Sequence, residues 1–189
     1  MSTIDQPIKP TPRAGRRARR YFSAVVLGLL VCSGAGWAGS LPGNRWDLLT
    51  VAFPPGRGIT VSLGGAEKTL TARGTCSVKS KQQAAAFEIE IEELKPASEI
   101  GWTGRQYVLW AVDRENRAVN LGLVPLRGKS AKWSVQVPFR VFGLLVTAEQ
   151  DPKATAPSSA VALESLLPTN PDLVVPVYRV EVALTPAQG

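Results

Sequence analysis

The sequence contains no histidine and very little cysteine. Its 189 residues include two cysteines, and Cys32 lies in an apolar stretch near the start of the chain, which leaves Cys76 for a folded domain. One thiol excludes an internal disulfide and a zinc site built from Cys and His ligands. The missing histidine excludes His-based acid/base and nucleophilic catalysis. We therefore predict a protein that is not an enzyme and that requires no metal and no other cofactor.

The net charge is small outside the first 20 residues, although the whole chain carries +7. Residues 1–20 hold six of the 22 basic side chains and one of the 15 acidic ones, so the rest of the chain carries only +2. Binding of nucleic acid requires a basic face with stacking aromatics, which this balance does not indicate. We predict no nucleic-acid partner.

Charged residues are absent from residues 21–44, which follow the basic region. A basic start, a short apolar core at 24–31 and small residues afterwards are typical of a secretory signal. Gly36 and Ala38 suit the −3 and −1 positions of a cleavage site, so we predict cleavage after about Ala38. An uncleaved membrane anchor is the alternative, since residues 21–40 match the roughly 20 residues that a membrane span needs.

Two details of this leader bear on how the protein would be exported and anchored. Arg19-Arg20 followed by Phe22 is similar to a twin-arginine export signal, although the Sec route stays open. A lipoprotein attached at Cys32 is disfavoured because Val31, the preceding residue, is not small. The expected order is a disordered basic region at 1–20, a signal or anchor at 21–40 and a domain at 41–189 beyond the inner membrane.

The domain sequence alternates between short β-rich runs and turns spaced about 8–12 residues apart, with no long helix. Residues 87–92 are the clearest strand, because Phe, Ile and Ile alternate with three glutamates. The stretch 106–150 organises the chain, and its large apolar residues are expected to share one core. This pattern predicts an all-β fold, an antiparallel immunoglobulin-like β-sandwich.

Several local features carry narrower expectations. Gly64-Gly65 predicts a tight turn, and the isolated Gly74 predicts a β-bulge. Residues 158–167 fit either a short helix or an edge strand. The last strand, within 178–184, is expected at a sheet edge because Pro176 precedes it.

Most residues that suggest chemistry have a structural explanation. The glutamates at 88–92 fit a solvated strand face better than a cation site, and Asp113 fits a hairpin turn better than a calcium loop. Cys76 is expected to be buried and unreactive. Trp102, in a glycine-bearing loop beside Arg105, is the best candidate for an exposed recognition aromatic.

The segment from Tyr107 to Glu149 resembles the extracytoplasmic C-terminal domain of the anti-sigma-K factor family. The shared features are Leu109-Trp110, a polar turn at 113–116, Leu121-Gly122 and the later segment Val146-Thr147-Ala148-Glu149. The family usually continues with a Pro-Gly-Gly-Ser type segment, whereas Gln150-Asp151-Pro152-Lys153 follows here. The family's sigma-binding domain, often with a zinc site, has no counterpart among the 20 polar residues before the apolar stretch.

The resemblance implies a free-standing envelope domain that contacts other proteins. We therefore expect an exported or membrane-anchored, non-catalytic β-sandwich of the bacterial envelope with a sensing, regulatory or structural role. It is expected to act through its sheet edges and loops. The alternative is a module that binds carbohydrate or peptidoglycan, which predicts aromatic side chains exposed on one face.

Overall fold

The structure, a computed structural model, describes residues 44–81, 84–168 and 174–187. The predicted export leader, with Arg19, Arg20, Phe22 and Ala38, lies outside the described residues. Two 3₁₀ turns, Glu67–Thr69 and Ala97–Ile100, accompany the strands. The described strands are β1 Arg45–Ala52, β2 Gly58–Gly65, β3 Arg73–Ser80, β4 Ala85–Glu92, β5 Gln106–Asp113, β6 Ala118–Leu123, β7 Ala131–Val137, β8 Val141–Glu149, β9 Val161–Ser165 and β10 Val177–Ala183.

All pairings between these strands are antiparallel, and they form one continuous sheet around β8. Strand β5 pairs with one edge of β8 along its whole length, while the other edge pairs first with β1 and then with β9. The sheet continues from β9 through β2, β3 and β4 to β7, and from β1 to β10. Because β6, the neighbour of β5, comes close to β7, the sheet is nearly barrel-shaped. The predicted all-β, antiparallel class is confirmed.

Strands β5 and β8 are buried on both faces. Tyr107, Leu109 and Ala111 enter a large core together with β2, β3, β4 and β7. The alternating residues Val108 and Trp110 enter a second cluster, which β1 and β10 cover. Burial on both faces explains why the sequence of β5 is apolar without interruption. The expectation of one shared core is therefore wrong, since the structure has two.

Strand β4 shows the alternation that its sequence predicts. Phe87, Ile89 and Ile91 are buried, and the intervening glutamates face solvent. Lys132 on β7 forms ion pairs with Glu88 at 2.9 Å and Glu90 at 3.2 Å. A hydrogen bond to Glu88 and, to a smaller extent, one to Glu90 raise the pKa of Lys132. The acidic run is therefore a solvated strand face whose charge a neighbouring strand partly balances.

Two local expectations about the strands need correction. Gly74 lies in regular register with Leu63 and Ile91, so no bulge occurs there. One register shift lies at Leu109 and Trp110, whose partners on β6 are Gly122 and Asn120, and another lies between Val146 and Thr147 where β8 pairs with β9. Residues 161–165 form neither a helix nor an edge strand, because β9 pairs with both β8 and β2.

The two ends of the domain sequence lie side by side. Strand β10 pairs with β1 from Val177 to Ala183 and forms one end of the strand order, as Pro176 predicted. Among the described residues, no helix is long and apolar enough to cross a membrane.

Candidate protein-binding surface

The predicted recognition residues lie at one end of the sheet, where Trp102 is half-buried. Its ring contacts Tyr107 edge-on, with the ring centroids 6.4 Å apart, and packs against the larger core. The ammonium of Lys68 lies 5.6 Å from the ring centroid, within the range of a cation–π contact. Arg105 donates a hydrogen bond to the carbonyl of Ala148 at 3.0 Å. These contacts hold both side chains against the fold, and their role in recognition stays a prediction.

Tyr107 connects this loop to the core. Its hydroxyl donates a hydrogen bond of 2.8 Å to the carbonyl of Lys95, and burial raises its pKa to about 12. The ring is thereby held under Trp102. The loop after the second 3₁₀ turn is consequently anchored by an aromatic pair, and this part of the surface presents Lys68 rather than an open tryptophan face.

A groove missed by sequence reasoning lies next to Lys68. It is open, has a volume of about 740 Å³, and runs along β2 and β3. Leu70 and Leu166 line it and are 77% and 43% exposed. Leu70 also borders a smaller hollow of about 240 Å³ together with Lys68 and Lys95. Exposed apolar side chains mark a protein contact where they form a patch rimmed by polar groups, and Leu70 and Leu166 share one groove.

The backbone after β2 explains how Leu70 comes to be exposed. The N–H of Thr69 donates to the carbonyl of Ala66 at 2.8 Å, and the N–H of Ala72 donates to the carbonyl of Thr69 at 2.7 Å. The Thr69 hydroxyl also lies within hydrogen-bond reach of the Ala162 carbonyl on β9. Two successive turns thus fix the segment, and Leu70 protrudes at its tip.

The glycine pair before this segment makes the groove. A Cβ atom on Gly65 would lie 1.8 Å from the carbonyl oxygen of Thr69, so no other residue fits there. A Cβ atom on Gly64 would lie 3.2 Å from Leu166, which rests on that glycine. Gly64-Gly65 belongs to β2 and does not form the predicted tight turn. The pair was the one sequence signal for this surface.

Charges at the rim of the groove are largely balanced. Arg73 lies 3.4 Å from Glu92, and Glu90 is paired with Lys132. Within the described ranges, no group of three or more His, Cys, Asp or Glu residues is placed to hold a metal ion. Cys76 is fully buried, and burial raises the pKa of its thiol. The groove therefore has a mixed lining, in which Leu70 and Leu166 lie among polar groups, with paired charges at its edge.

Asp113 forms the predicted hairpin turn. Its carboxylate accepts hydrogen bonds from the backbone N–H groups of Glu115 and Arg117 at 3.0 and 2.9 Å. The guanidinium of Arg117 pairs with it at 2.6 Å. Asn116 completes the turn with a positive φ of 63°. The carboxylate is therefore occupied in joining β5 to β6.

The residues that carry the family resemblance converge on three neighbouring strands. Leu109 on β5 pairs with Gly122 on β6 and with Val146 on β8. The indole N–H of Trp110 donates to the Thr147 hydroxyl at 2.8 Å, and that hydroxyl donates to the buried carboxylate of Glu149. The same carboxylate accepts the backbone N–H of Ser158 at 2.7 Å. Leu109, Trp110 and residues 146–149 are buried and build the fold, whereas the turn at 114–116 is exposed.

The class that these observations define is an all-β antiparallel domain with an open surface groove that exposes two leucines among polar groups. No protein-family model, no curated protein and no solved structure matches the chain.

Proposed function

We propose that this chain is an exported or membrane-anchored, non-catalytic module of the bacterial envelope that binds a protein partner. The groove with Leu70 and Leu166 carries the proposal, because it offers exposed apolar side chains beside paired charges. Protein interfaces combine an apolar centre with a polar rim in the same way. Its role would be sensing, regulatory or structural.

The proposal includes an immunoglobulin-like form of the fold and a relationship to the anti-sigma-K factor family. An immunoglobulin-like sandwich is supported by the larger core, which β5 and β8 share with β2, β3, β4 and β7. Similarity to the extracytoplasmic domain of anti-sigma-K factors is supported by the contacts of Leu109, Trp110 and Glu149 across adjacent strands. Export is supported by the leader sequence alone.

Carbohydrate binding, the alternative, receives less support. A glycan platform requires exposed rings, and among the described residues the exposed large hydrophobic side chains include one aromatic, Tyr178. Trp46, Trp102 and Trp133 are only partly buried, but they pack against the two core clusters. Stacking on these rings would require the core contacts to open.

Photo-cross-linking in the producing cell tests the proposal. A photoreactive residue at position 70 is expected to form an adduct with a particular envelope protein, whereas the same residue at position 123 is not. Leu123 is the matched control because it is a leucine on β6, outside the groove, and 46% exposed. Leu70→Asp is expected to weaken capture of the partner about 10-fold or more, since a charge enters an apolar contact.

Other outcomes would overturn the proposal. Identical adducts at positions 70 and 123 would show that the groove has no special role. Adducts at position 70 that disappear when cell-wall fragments are added would favour the carbohydrate alternative. A chain found only in the cytoplasm would remove the envelope assignment while leaving the groove as a binding surface.

A further inference from the structure

Strand β10 presents an edge that the described part of the chain leaves without a strand partner. Val177–Ala183 pairs with β1 along one side only. A free edge carries a row of backbone donors and acceptors that another strand can bind. The pattern of hydrogen bonds and charges along β10 determines which strand fits this edge.

Hydrogen bonds show which residues of β10 point outward. The N–H of Ala52 donates to the carbonyl of Pro176 at 2.9 Å, and the N–H of Leu184 donates to the carbonyl of Asn44 at 2.8 Å. Even-numbered residues of β10 therefore bond to β1, because bonding alternates along an antiparallel pair. The N–H and C=O groups of the odd-numbered residues, 177 to 183, face the free side.

The segment immediately beyond β10 already has hydrogen-bond partners on that side. Thr185 donates its N–H to the carbonyl of Pro157 at 2.9 Å and accepts the N–H of Ser159 at 2.8 Å. The available edge consequently runs from Val177 to Ala183, and its midpoint is Val180. A strand bound here has a defined length and a defined centre.

The charges on this edge are complementary to those of a second copy of β10 that runs in the opposite direction. Arg179 and Glu181 lie on either side of Val180, and their side chains are largely exposed. When two copies of β10 pair antiparallel with Val180 at the centre, Arg179 of each lies opposite Glu181 of the other. A shift of two residues places Arg179 against Arg179 or Glu181 against Glu181, which is unfavourable. A shift of one residue places odd-numbered residues opposite even-numbered ones. The backbone N–H and C=O groups of the even-numbered residues face β1, so the hydrogen bonds between the two copies could not form.

The other face of the strand gains contacts in the same arrangement. Tyr178, which is 40% exposed, would lie opposite the largely buried Val182 of the second copy. Within one chain, Arg179 already lies 3.6 Å from Asp47, and Glu181 lies 2.7 Å from Arg45. The paired edges would join these ion pairs into a network that crosses the two-fold axis.

We propose that two copies of this chain associate through β10, antiparallel and centred on Val180, so that the two sheets become one. The symmetric contact uses the same surface on both copies and therefore closes after two. Pairing also covers two edges that would otherwise invite uncontrolled association. The proposal depends on strand geometry and charge and is independent of the groove and of export.

Charge reversal tests the arrangement on the protein as the cell produces it. Sedimentation equilibrium is expected to show a dimer for the natural chain. Arg179→Glu and Glu181→Arg, each alone, place like charges opposite one another twice and are expected to raise the dimer Kd about 10-fold or more. Glu88→Arg is the matched control, because it reverses a similarly exposed charge on β4, which pairs with β3 and β7 and not with β10, and it is expected to leave the Kd unchanged.

Mixing the two single variants gives the sharper result. In a mixed pair, the introduced carboxylate at 179 lies opposite the introduced guanidinium at 181, and the natural Glu181 lies opposite the natural Arg179. Native mass spectrometry is therefore expected to show a mixed dimer where each variant alone is mostly monomeric. A natural chain that stays monomeric at about 100 µM would overturn the proposal. So would single variants that dimerise as well as the natural chain, or a mixture that fails to pair.

Discussion

At the scale of single residues, the phenol of Tyr107 connects burial with pH. The folded chain keeps this hydroxyl away from water and hydrogen-bonded to the Lys95 carbonyl, so its pKa rises to about 12. An unfolded tyrosine loses its proton near pH 10. Between about pH 10 and 12 the phenol ionises in the unfolded chain but stays protonated in the folded chain. Ionisation lowers the free energy of the unfolded state and so reduces stability. The contribution of Tyr107 is therefore complete below about pH 10 and falls as pH rises towards 12.

We predict that the Tyr107→Phe variant loses less free energy of unfolding between about pH 10 and pH 12 than the natural chain does. The variant should be about 1 kcal/mol less stable at pH 8, because the Lys95 carbonyl loses its donor. The difference between natural chain and variant should shrink by roughly 1 kcal/mol by pH 11. Urea unfolding at pH 8, 10 and 11 measures both effects. Parallel stability curves for the two proteins across this range would contradict the prediction.

At the scale of elements, β8 depends on the absence of a side chain where β1 crosses it. A Cβ atom on Gly143 would lie 2.4 Å from the carbonyl oxygen of Leu49 and 3.0 Å from the side chain of Leu48. Backbone cannot move aside as a flexible side chain can. Gly143 therefore lets β1 lie directly on the strand that organises the sheet.

Gly143→Ala is accordingly expected to destabilise the fold by about 3 kcal/mol, since it forces β1 away from β8. Gly58→Ala is the matched control, because an added Cβ there meets nothing within 4 Å. That control should change stability by no more than about 0.5 kcal/mol. Thermal unfolding of both variants gives the comparison. Equal melting temperatures would show that β1 tolerates the added methyl group.

Elements that face water on one side could be predicted, and elements that do not were harder to recognise. The alternation in β4 identified its strand and its inner face because the glutamates at 88–92 are solvated. In β9, Val161 to Leu163 are buried in succession, so the sequence shows no period and was compatible with a helix. Burial on both sides removes the pattern on which sequence reasoning depends.

The candidate surface was missed for a related reason. The sequence does not single out Leu70, because a single exposed leucine has no sequence signature of its own. Its exposure arises from contacts between Gly65, Thr69 and Ala162, and the last of these is distant in sequence. Trp102, predicted as an exposed recognition aromatic, is partly buried because Tyr107 and Lys68 contact its ring, and its role in recognition stays a prediction. Contacts across the sheet determine both outcomes.

At the scale of the whole molecule, the near-neutral domain and the basic leader carry separate information. The leader predicts passage across a membrane and removal of about the first 38 residues. Ala38→Asp should block this removal and leave a longer, membrane-bound form, because the −1 position requires a small neutral side chain. Ser40→Asp, beyond the predicted site, should be processed normally. Immunoblots of fractionated cells measure both sizes, and a natural chain of full length throughout would favour the anchor.

The contact between β1 and β10 also has a consequence for synthesis of the protein. Arg45 and Glu181 meet although they are 136 positions apart in the chain. Contacts of such long range form late and make folding slow. Until β10 has emerged, nothing from that strand covers Trp110 and Leu145 in the second core cluster. The nascent polypeptide would therefore remain incompletely folded until β10 has left the ribosome, and a chaperone that binds apolar segments would have time to engage it.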